Sequence, residues 1–205
     1  MGELLSAAFG CEDEIFEDLR KYYYDNRILI FNEEVNDNLI ENYVMWILKW
    51  NKEDRDSGIP EKNRRPIRIY INSVGGDVIA ANFFCDVIEN SSTPIIGVVL
   101  SMAASAAYYI LLSCHERIAF QNSVLLQHDG SISITNSGSK AKDQMHFIDE
   151  VDDRTRAFVL QHTNMDEEFY DRTFDQEYYM LASEAKERGC IDKIVGIDCS
   201  LDYIM

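Results

Sequence analysis

The sequence predicts an α/β domain built on parallel strands. Short β-branched strands alternate with helical segments along most of the chain, and two of these strands end in turns of small residues that open a helix. The chain has 205 residues, of which 46% are hydrophobic and 27% charged. This length and composition are sufficient for one sizeable hydrophobic core.

The chain begins with a segment of 26 residues and then one strand and one helix. RILIF, residues 27–31, is predicted as a strand, and apolar side chains at helical spacing predict a helix within residues 36–52. Residues 53–66 are charged and contain glycine and proline, so we expect a loop there.

Two strand–turn–helix units follow. The strand at residues 67–71 leads into a Gly-Gly turn and a helix for which Asp77 is the expected N-cap. The strand PIIGVVL, residues 94–100, leads into SMAASAAYYILLS, residues 101–113. Within that stretch Ser105 stands between two pairs of alanines, which would leave its hydroxyl within reach of a substrate.

The last part of the chain predicts a further strand region, a long helix and a short closing unit. Residues 116–128, ERIAFQNSVLLQH, are strand-like, and residues 139–163 form one acidic helix with a thin apolar stripe, typical of a helix that projects to meet a partner. Residues 182–196 predict a short helix that stops at Gly189, then a strand. Residues 199–205 form a C-terminal tail.

Composition argues against several classes of function. The net charge of −17 makes nucleic acid an improbable partner, because phosphate binding needs lysine and arginine. The chain has no apolar run of about 18 residues, so we expect no membrane span. Five cysteines without metal-ligand spacing predict no metal site and a reducing, cytoplasmic setting. The N-terminus lacks the pattern of a secretory signal.

Ser105 is the candidate nucleophile. A nucleophilic serine needs a base, a group that orients the base, and donors for the oxyanion. The predicted strand-to-helix turn brings backbone N–H groups close to Ser105, and Gly75 or Gly76 offers a second donor because a missing Cβ lets backbone approach a ligand. His128 ends an apolar strand, where a side chain can emerge beside a pocket.

In this order, the motifs YINSVGG, LSMAASAAYYIL, NSVLLQH and SEAKERGCIDKI resemble the ClpP family of self-compartmentalising serine peptidases. The resemblance runs from about Arg27 to Gly196. It implies a crotonase-like fold, a spiral of strand–strand–helix units, in a peptidase domain at 27–198 with residues 139–163 as the projecting handle. Residues 1–26 would then gate a pore or be removed as a propeptide.

The resemblance also implies an assembly and a substrate class. Copies of the chain would form stacked heptameric rings around a closed chamber and cleave peptides or unfolded proteins. A hexameric AAA+ unfoldase would feed the chamber. That partner carries its own nucleotide, so we expect no cofactor in this chain.

Six residues receive a role from the resemblance. They are the nucleophile Ser105, the base His128, the oxyanion donors Gly76 and Ala106, and the substrate-binding residues Ser73 and Gly75.

The carboxylate that orients the base has more than one candidate. Asp175 fits a shorter, phage-like form of the family, in which the aspartate lies about ten residues before the alanine of the SEA motif, and it is our choice. Asp171 is the alternative. An ungapped count places Thr173 where the long form has its aspartate.

Several positions depart from the family pattern. Val74 replaces a proline, Ser101 and Ala107 replace glycines, and Asp129 replaces the glutamine after His128. None of these changes removes a reacting group, so they indicate a divergent member of the family, such as one carried by a phage.

The alternative function is a catalytically inactive structural or regulatory subunit of a mixed assembly. Retention of Ser105 and His128 argues against it. A crotonase-type acyl-CoA enzyme would need a glutamate near the two oxyanion turns, which have none. A Ser–Lys peptidase would need a buried lysine, and the nearby lysines begin an exposed helix.

Overall fold

The protein is described by a computed structural model that covers residues 17–130 and 134–205. Most of the N-terminal segment expected to gate a pore or to be a propeptide, residues 1–16, lies outside the described residues. The strands are Ile28–Phe31 (β1), Ile67–Ser73 (β2), Ile95–Ala104 (β3), Glu116–Phe120 (β4), Val124–Gln127 (β5), Tyr178–Leu181 (β6) and Lys193–Val195 (β7).

Helices connect these strands. They comprise residues 17–25 (α1), Met45–Asp56 (α2), Val78–Glu89 (α3), Ala106–Leu112 (α4), Gly138–His162 (α5), Glu167–Phe174 (α6), Ala182–Glu187 (α7) and Leu201–Ile204 (α8). A π-helical turn, Ile40–Val44, precedes α2, and a 3₁₀ turn, Glu61–Asn63, follows it. In the part of the chain that the structure describes, no helix has the length and apolar composition needed to cross a membrane.

The sheet is mostly parallel, as the strand–helix alternation predicts. Its main path runs β1-β2-β3-β4-β7, with each neighbouring pair parallel. β3 is long enough to have two partners on one side: residues 96–99 pair with β4, and residues 102–104 pair with β5. β6 then runs antiparallel to β5. The carboxyl end of β3 therefore lies inside the sheet and beside β5.

The core forms because apolar side chains recur at strand and helix spacing. Ile67, Ile69 and Ile71 of β2 are fully buried, and they pack in one cluster with Phe84 of α3 and Tyr108 of α4. Burying a large apolar side chain of this kind contributes about 1.5–3 kcal/mol. The core thus holds α3 and α4, the helices that follow the two small-residue turns, against the sheet.

The structure confirms one predicted helix cap, divides one predicted strand region and adds two elements. Asp77 is the N-cap of α3, because its carboxylate accepts a hydrogen bond from the Ala80 amide at 2.8 Å. The strand region 116–128 divides into β4 and β5 at a turn in which the Ser123 hydroxyl donates to the Val99 and Leu100 carbonyls of β3. Between residues 163 and 182 the structure adds α6 and β6, which the sequence pattern did not predict.

The predicted loop at residues 53–66 begins later than expected, because α2 continues to Asp56. The reason is a buried ion pair. The Asp54 carboxylate is 1% exposed and accepts hydrogen bonds from the Arg27 guanidinium at 2.6 and 2.8 Å and from the Thr93 hydroxyl at 2.8 Å. Asp54, which the sequence pattern places in a solvated loop, is thus a buried residue in the last turn of α2.

We expect Asp54→Ala to destabilise the fold by about 3–5 kcal/mol, because it leaves the largely buried Arg27 guanidinium without a carboxylate partner and with only its hydrogen bond to the Arg65 carbonyl. The Arg27 hydrogen bonds also lower the pKa of the Asp54 carboxyl, so its stabilisation is present at neutral pH and is lost as the pH falls through that lowered pKa. Urea unfolding followed by circular dichroism measures both effects. The control is Asp56→Ala, which removes an exposed pair with Lys52. Equal urea midpoints for Asp54→Ala and Asp56→Ala would contradict a stabilising role for the ion pair between Asp54 and Arg27.

Candidate active site

Ser105 occupies a strained turn between β3 and α4. Its backbone has φ 54° and ψ −125°, in the left-handed region that side-chain-bearing residues rarely adopt. Hydrogen bonds hold it there: the Ser105 amide donates to the Leu126 carbonyl of β5, and the Ser105 carbonyl accepts from the Tyr108 amide, both at 2.9 Å. Strain that is kept in place by its surroundings is typical of functional sites.

The Gly-Gly turn after β2 packs directly against this strained turn. Gly75 has φ 95°, and a Cβ at this position would lie 2.7 Å from the Ser105 Cβ and 2.6 Å from the Ala104 carbonyl oxygen. Gly76 has φ 148°, and a Cβ there would lie 2.3 Å from the Val35 carbonyl oxygen. Gly75 therefore allows its turn to pack against Ser105, and Gly76 allows Val35 to pack against the same turn.

Two amides beside Ser105 are available as donors. Among the described residues, neither the Gly76 nor the Ala106 N–H donates a hydrogen bond, and both residues line the same cavity as Ser105. Gly76 forms a parallel β-bridge with Val35. The hydrogen bonds of this bridge involve the Gly75 carbonyl and the Asp77 amide, so the Gly76 N–H has no acceptor in the described residues. Two backbone N–H groups without acceptors beside a serine are the kind of donors that form an oxyanion hole.

The predicted substrate-binding residues are engaged within the turn. The Gly75 amide donates to the Ser73 hydroxyl at 3.1 Å, and the Gly75 carbonyl accepts from the Val35 amide at 2.8 Å. Ser73 is 4% exposed. These contacts stabilise the turn, and the contact of Ser73 and Gly75 with a substrate stays a prediction.

His128 directly follows β5 and lines the cavity with Ser105. Its Nε2 is buried and has no hydrogen-bond partner in the described residues. Its Nδ1 lies 3.8 Å from the Glu177 Oε1 atom. The carbonyl of Leu126, also in β5, accepts a hydrogen bond from the Ser105 amide. β5 therefore positions both the candidate nucleophile and the candidate base.

The structure does not bring the predicted aspartates to His128. Asp175 ends α6 as an exposed residue that does not line the cavity, and no hydrogen bond or ion pair joins it to His128 in the described residues. Asp171 pairs with Arg156 at 2.7 and 3.0 Å. Thr173 is buried, and its hydroxyl donates to main-chain carbonyls of its own helix.

Glu177 is the nearby carboxylate that the sequence analysis missed. It precedes β6, and the antiparallel register that pairs Gln127 with Tyr178 places it across from His128. The available signal was YYML, residues 178–181, an aromatic run suited to a strand. Its pairing with β5 is a tertiary contact that periodicity alone does not reveal.

The cavity at Ser105 has a volume of about 270 Å³ and mostly apolar walls. Asp129 and Asp152 also line it, and no lysine or arginine does so in the described part of the chain. Burial and then the charges of Asp149 and Asp129 raise the pKa of the Asp152 carboxyl. The apolar lining residues are Val78, Ile79, Tyr109, Phe147, Ile148, Val151 and Phe174.

Known proteins share the sequence pattern and the fold. The family model described as Clp protease matches residues 12–198. Two proteins named ATP-dependent Clp protease proteolytic subunit 2, from Prochlorococcus marinus strains MIT 9312 and CCMP1986 / NIES-2087 / MED4, are each 26% identical to this chain over 190 residues. These alignments cover 91% of this chain and 89% and 90% of the relatives.

A solved structure has the same architecture. A point mutant of ClpP1 from Listeria monocytogenes superposes with a TM-score of 0.76 at 22% sequence identity. The match covers 91% of this chain and 99% of the Listeria chain. At that identity the likeness concerns the fold alone.

Proposed function

Because the chain belongs to the Clp protease family, we propose that it is a serine endopeptidase that cleaves peptides and unfolded proteins inside a ring assembly. The relatives named as proteolytic subunits support a peptidase. One observation carries the proposal: Ser105, His128 and two unused amides line a single cavity. Such a set of groups suits acyl transfer through a serine.

In the proposed reaction, the Ser105 Oγ attacks the scissile carbonyl carbon while the His128 Nε2 accepts the hydroxyl proton. The resulting oxyanion accepts hydrogen bonds from the Gly76 and Ala106 amides. When the C–N bond breaks, His128 returns its proton to the leaving amine, and an acyl ester remains on Ser105. Water, deprotonated by His128, then hydrolyses the ester and restores the enzyme.

The cavity suggests which side chains the enzyme accepts beside the scissile bond. Ile79 and Phe147 belong to its apolar walls, so an apolar side chain would gain from burial there. An acidic side chain would be repelled by Asp129 and Asp152. We therefore propose selectivity for apolar over acidic residues in this pocket.

Labelling with a fluorophosphonate tests the proposed nucleophile. We expect the intact mass of the chain to rise by one adduct, because the probe reacts with an activated serine. Ser101→Ala, which changes an exposed serine of β3 four residues before Ser105, should keep the adduct, and Ser105→Ala should lose it. An assembled protein that takes up no probe would support the inactive-subunit alternative.

We also propose that α5 joins two rings, as the resemblance implies. Of its 25 residues, only Thr155 and Val159 are buried within the single chain. Met145 does not line the cavity at Ser105 and is 46% exposed, which is unusual for a large apolar side chain on an acidic helix. A partner copy would cover it. An AAA+ unfoldase is the proposed supplier of unfolded chains to the chamber.

A charge placed on this helix should separate the rings. We expect Met145→Glu to halve the mass measured by sedimentation velocity, because each copy would bury an unpaired carboxylate at the ring–ring contact. Arg154→Glu, at an exposed residue on the opposite side of the same helix, is the control and should leave the mass unchanged. An unaltered mass in Met145→Glu would refute the role of this face.

A further inference from the structure

We propose that Glu177 is the carboxylate that positions His128, and that the Tyr179 hydroxyl holds Glu177 in place. The inference rests on the proposed function, in which His128 is the base, and it assigns the orienting role to a residue other than Asp175. It is carried by three observations: the strand register, the distance to the ring, and the hydrogen bond from Tyr179.

The strand register brings Glu177 to His128. β5 and β6 pair antiparallel from Val124 with Leu181 to Gln127 with Tyr178. One step further along each strand lie His128 and Glu177. The register is well determined, because Leu125 and Met180, which are partners in it, are fully buried, and a slip of one residue would expose them.

The distance singles out Glu177 among the acidic groups around His128. Asp129 follows His128 in the chain, and Asp152 lines the cavity from α5. Within the described residues, only Glu177 places a carboxylate oxygen within 4 Å of a His128 ring nitrogen. The contact of 3.8 Å to Nδ1 is longer than a hydrogen bond, which is common at catalytic pairs before substrate binds.

The two nitrogens of His128 differ in the way that a base requires. Nδ1 is the nitrogen near Glu177, and Nε2 is buried without a partner in the described part of the chain. A carboxylate that accepts the Nδ1 proton leaves the Nε2 lone pair free to accept a proton from Ser105. It also stabilises the imidazolium that forms during the reaction.

Tyr179 fixes the second oxygen of the carboxylate. Its hydroxyl donates to the Glu177 Oε2 atom at 2.5 Å, which leaves Oε1 for His128. This hydrogen bond raises the pKa of Tyr179, so the hydroxyl stays protonated as a donor. The Glu177 side chain is largely exposed, so without this hydrogen bond its carboxylate would rotate among several conformers.

The kinetic test compares four variants. We expect Glu177→Gln to lower kcat/KM by about 10²-fold or more, mainly through kcat, because the wrong tautomer of the base is then favoured. Glu177→Asp should recover part of the loss, and Tyr179→Phe should cause a smaller decrease. Asp175→Asn, at the residue that the sequence favours for the orienting role, tests the rival assignment and should cause no comparable decrease. A decrease in Asp175→Asn but not in Glu177→Gln would overturn the proposal.

A second readout is independent of activity. In protein labelled with ¹⁵N-histidine, the shifts of the neutral His128 ring should report a proton on Nδ1 in the wild type and a loss of that preference in Glu177→Gln. The other three histidines are internal references. An identical tautomer in both proteins would overturn the role of Glu177. If the wild type neither cleaves peptides nor reacts with a fluorophosphonate, the proposed function fails, and the tautomer still decides the role of Glu177.

Discussion

Ser105→Ala is expected to lower kcat/KM for peptide hydrolysis by about 10⁵-fold or more, which leaves no measurable turnover above background. The reason is that no other side chain can replace its hydroxyl. In the described residues, the other hydroxyls that line the cavity belong to Tyr109 of α4 and Thr155 of α5, and neither residue lies in the turn between β3 and α4. The amides and the pocket would remain and would still bind substrate. The KM, where it can be measured, should therefore change little.

Ser105→Ala should abolish catalysis without changing the folding or the assembly of the protein. The side chain of Ser105 makes no hydrogen bond within the described residues, so its removal should alter neither the circular dichroism spectrum nor the sedimentation coefficient. A fluorogenic peptide with an apolar residue before the scissile bond is the suitable substrate. Ser101→Ala serves as the control for changing a serine on β3. Turnover near the wild-type value in Ser105→Ala would exclude this residue as the nucleophile.

Gly75→Ala is expected to reduce kcat/KM by about 10²-fold or more, because a displacement of about 1 Å at a reacting group has that effect. The new Cβ would lie 2.7 Å from the Ser105 Cβ and 2.6 Å from the Ala104 carbonyl oxygen. Neither neighbour is the far end of a mobile side chain. The clash must therefore move the turn that carries the nucleophile, or the one that carries Gly76.

Gly58→Ala is the matched control for this substitution. Gly58 also has a positive φ, 66°, but a Cβ there would have no atom within 4 Å. Both variants therefore share the strain of an alanine at positive φ, and only Gly75→Ala adds a clash at the site. We expect Gly58→Ala to lose some stability and retain full activity per folded chain. Equal kcat/KM values for the two would show that Ser105 tolerates the added Cβ.

The sequence predicts the parts of the fold that depend on local pattern. Strand–helix alternation indicates a parallel sheet, the structure has one, and the Asp77 cap of α3 is confirmed. The comparisons confirm the family and the ClpP fold. The roles of Ser105 and His128 stay predictions, although the structure brings both residues to one cavity.

What the sequence does not predict depends on tertiary pairing. Asp54 reads as a solvated charge, because its partner Arg27 lies 27 residues earlier in the chain. Glu177 reads as one acidic residue among many until β6 pairs with β5. A choice among Asp175, Asp171 and Glu177 requires knowing which strand edge faces His128, and that is a property of the assembled sheet.

The bond from the Ser105 amide to the Leu126 carbonyl has a mechanical consequence. β5 carries His128 at its end, holds the Ser105 turn from its side, and leads within about ten residues into α5. A shift of this strand would displace the nucleophile and the base in concert. Turnover would then depend on the position of this one strand, because both reacting groups are attached to it.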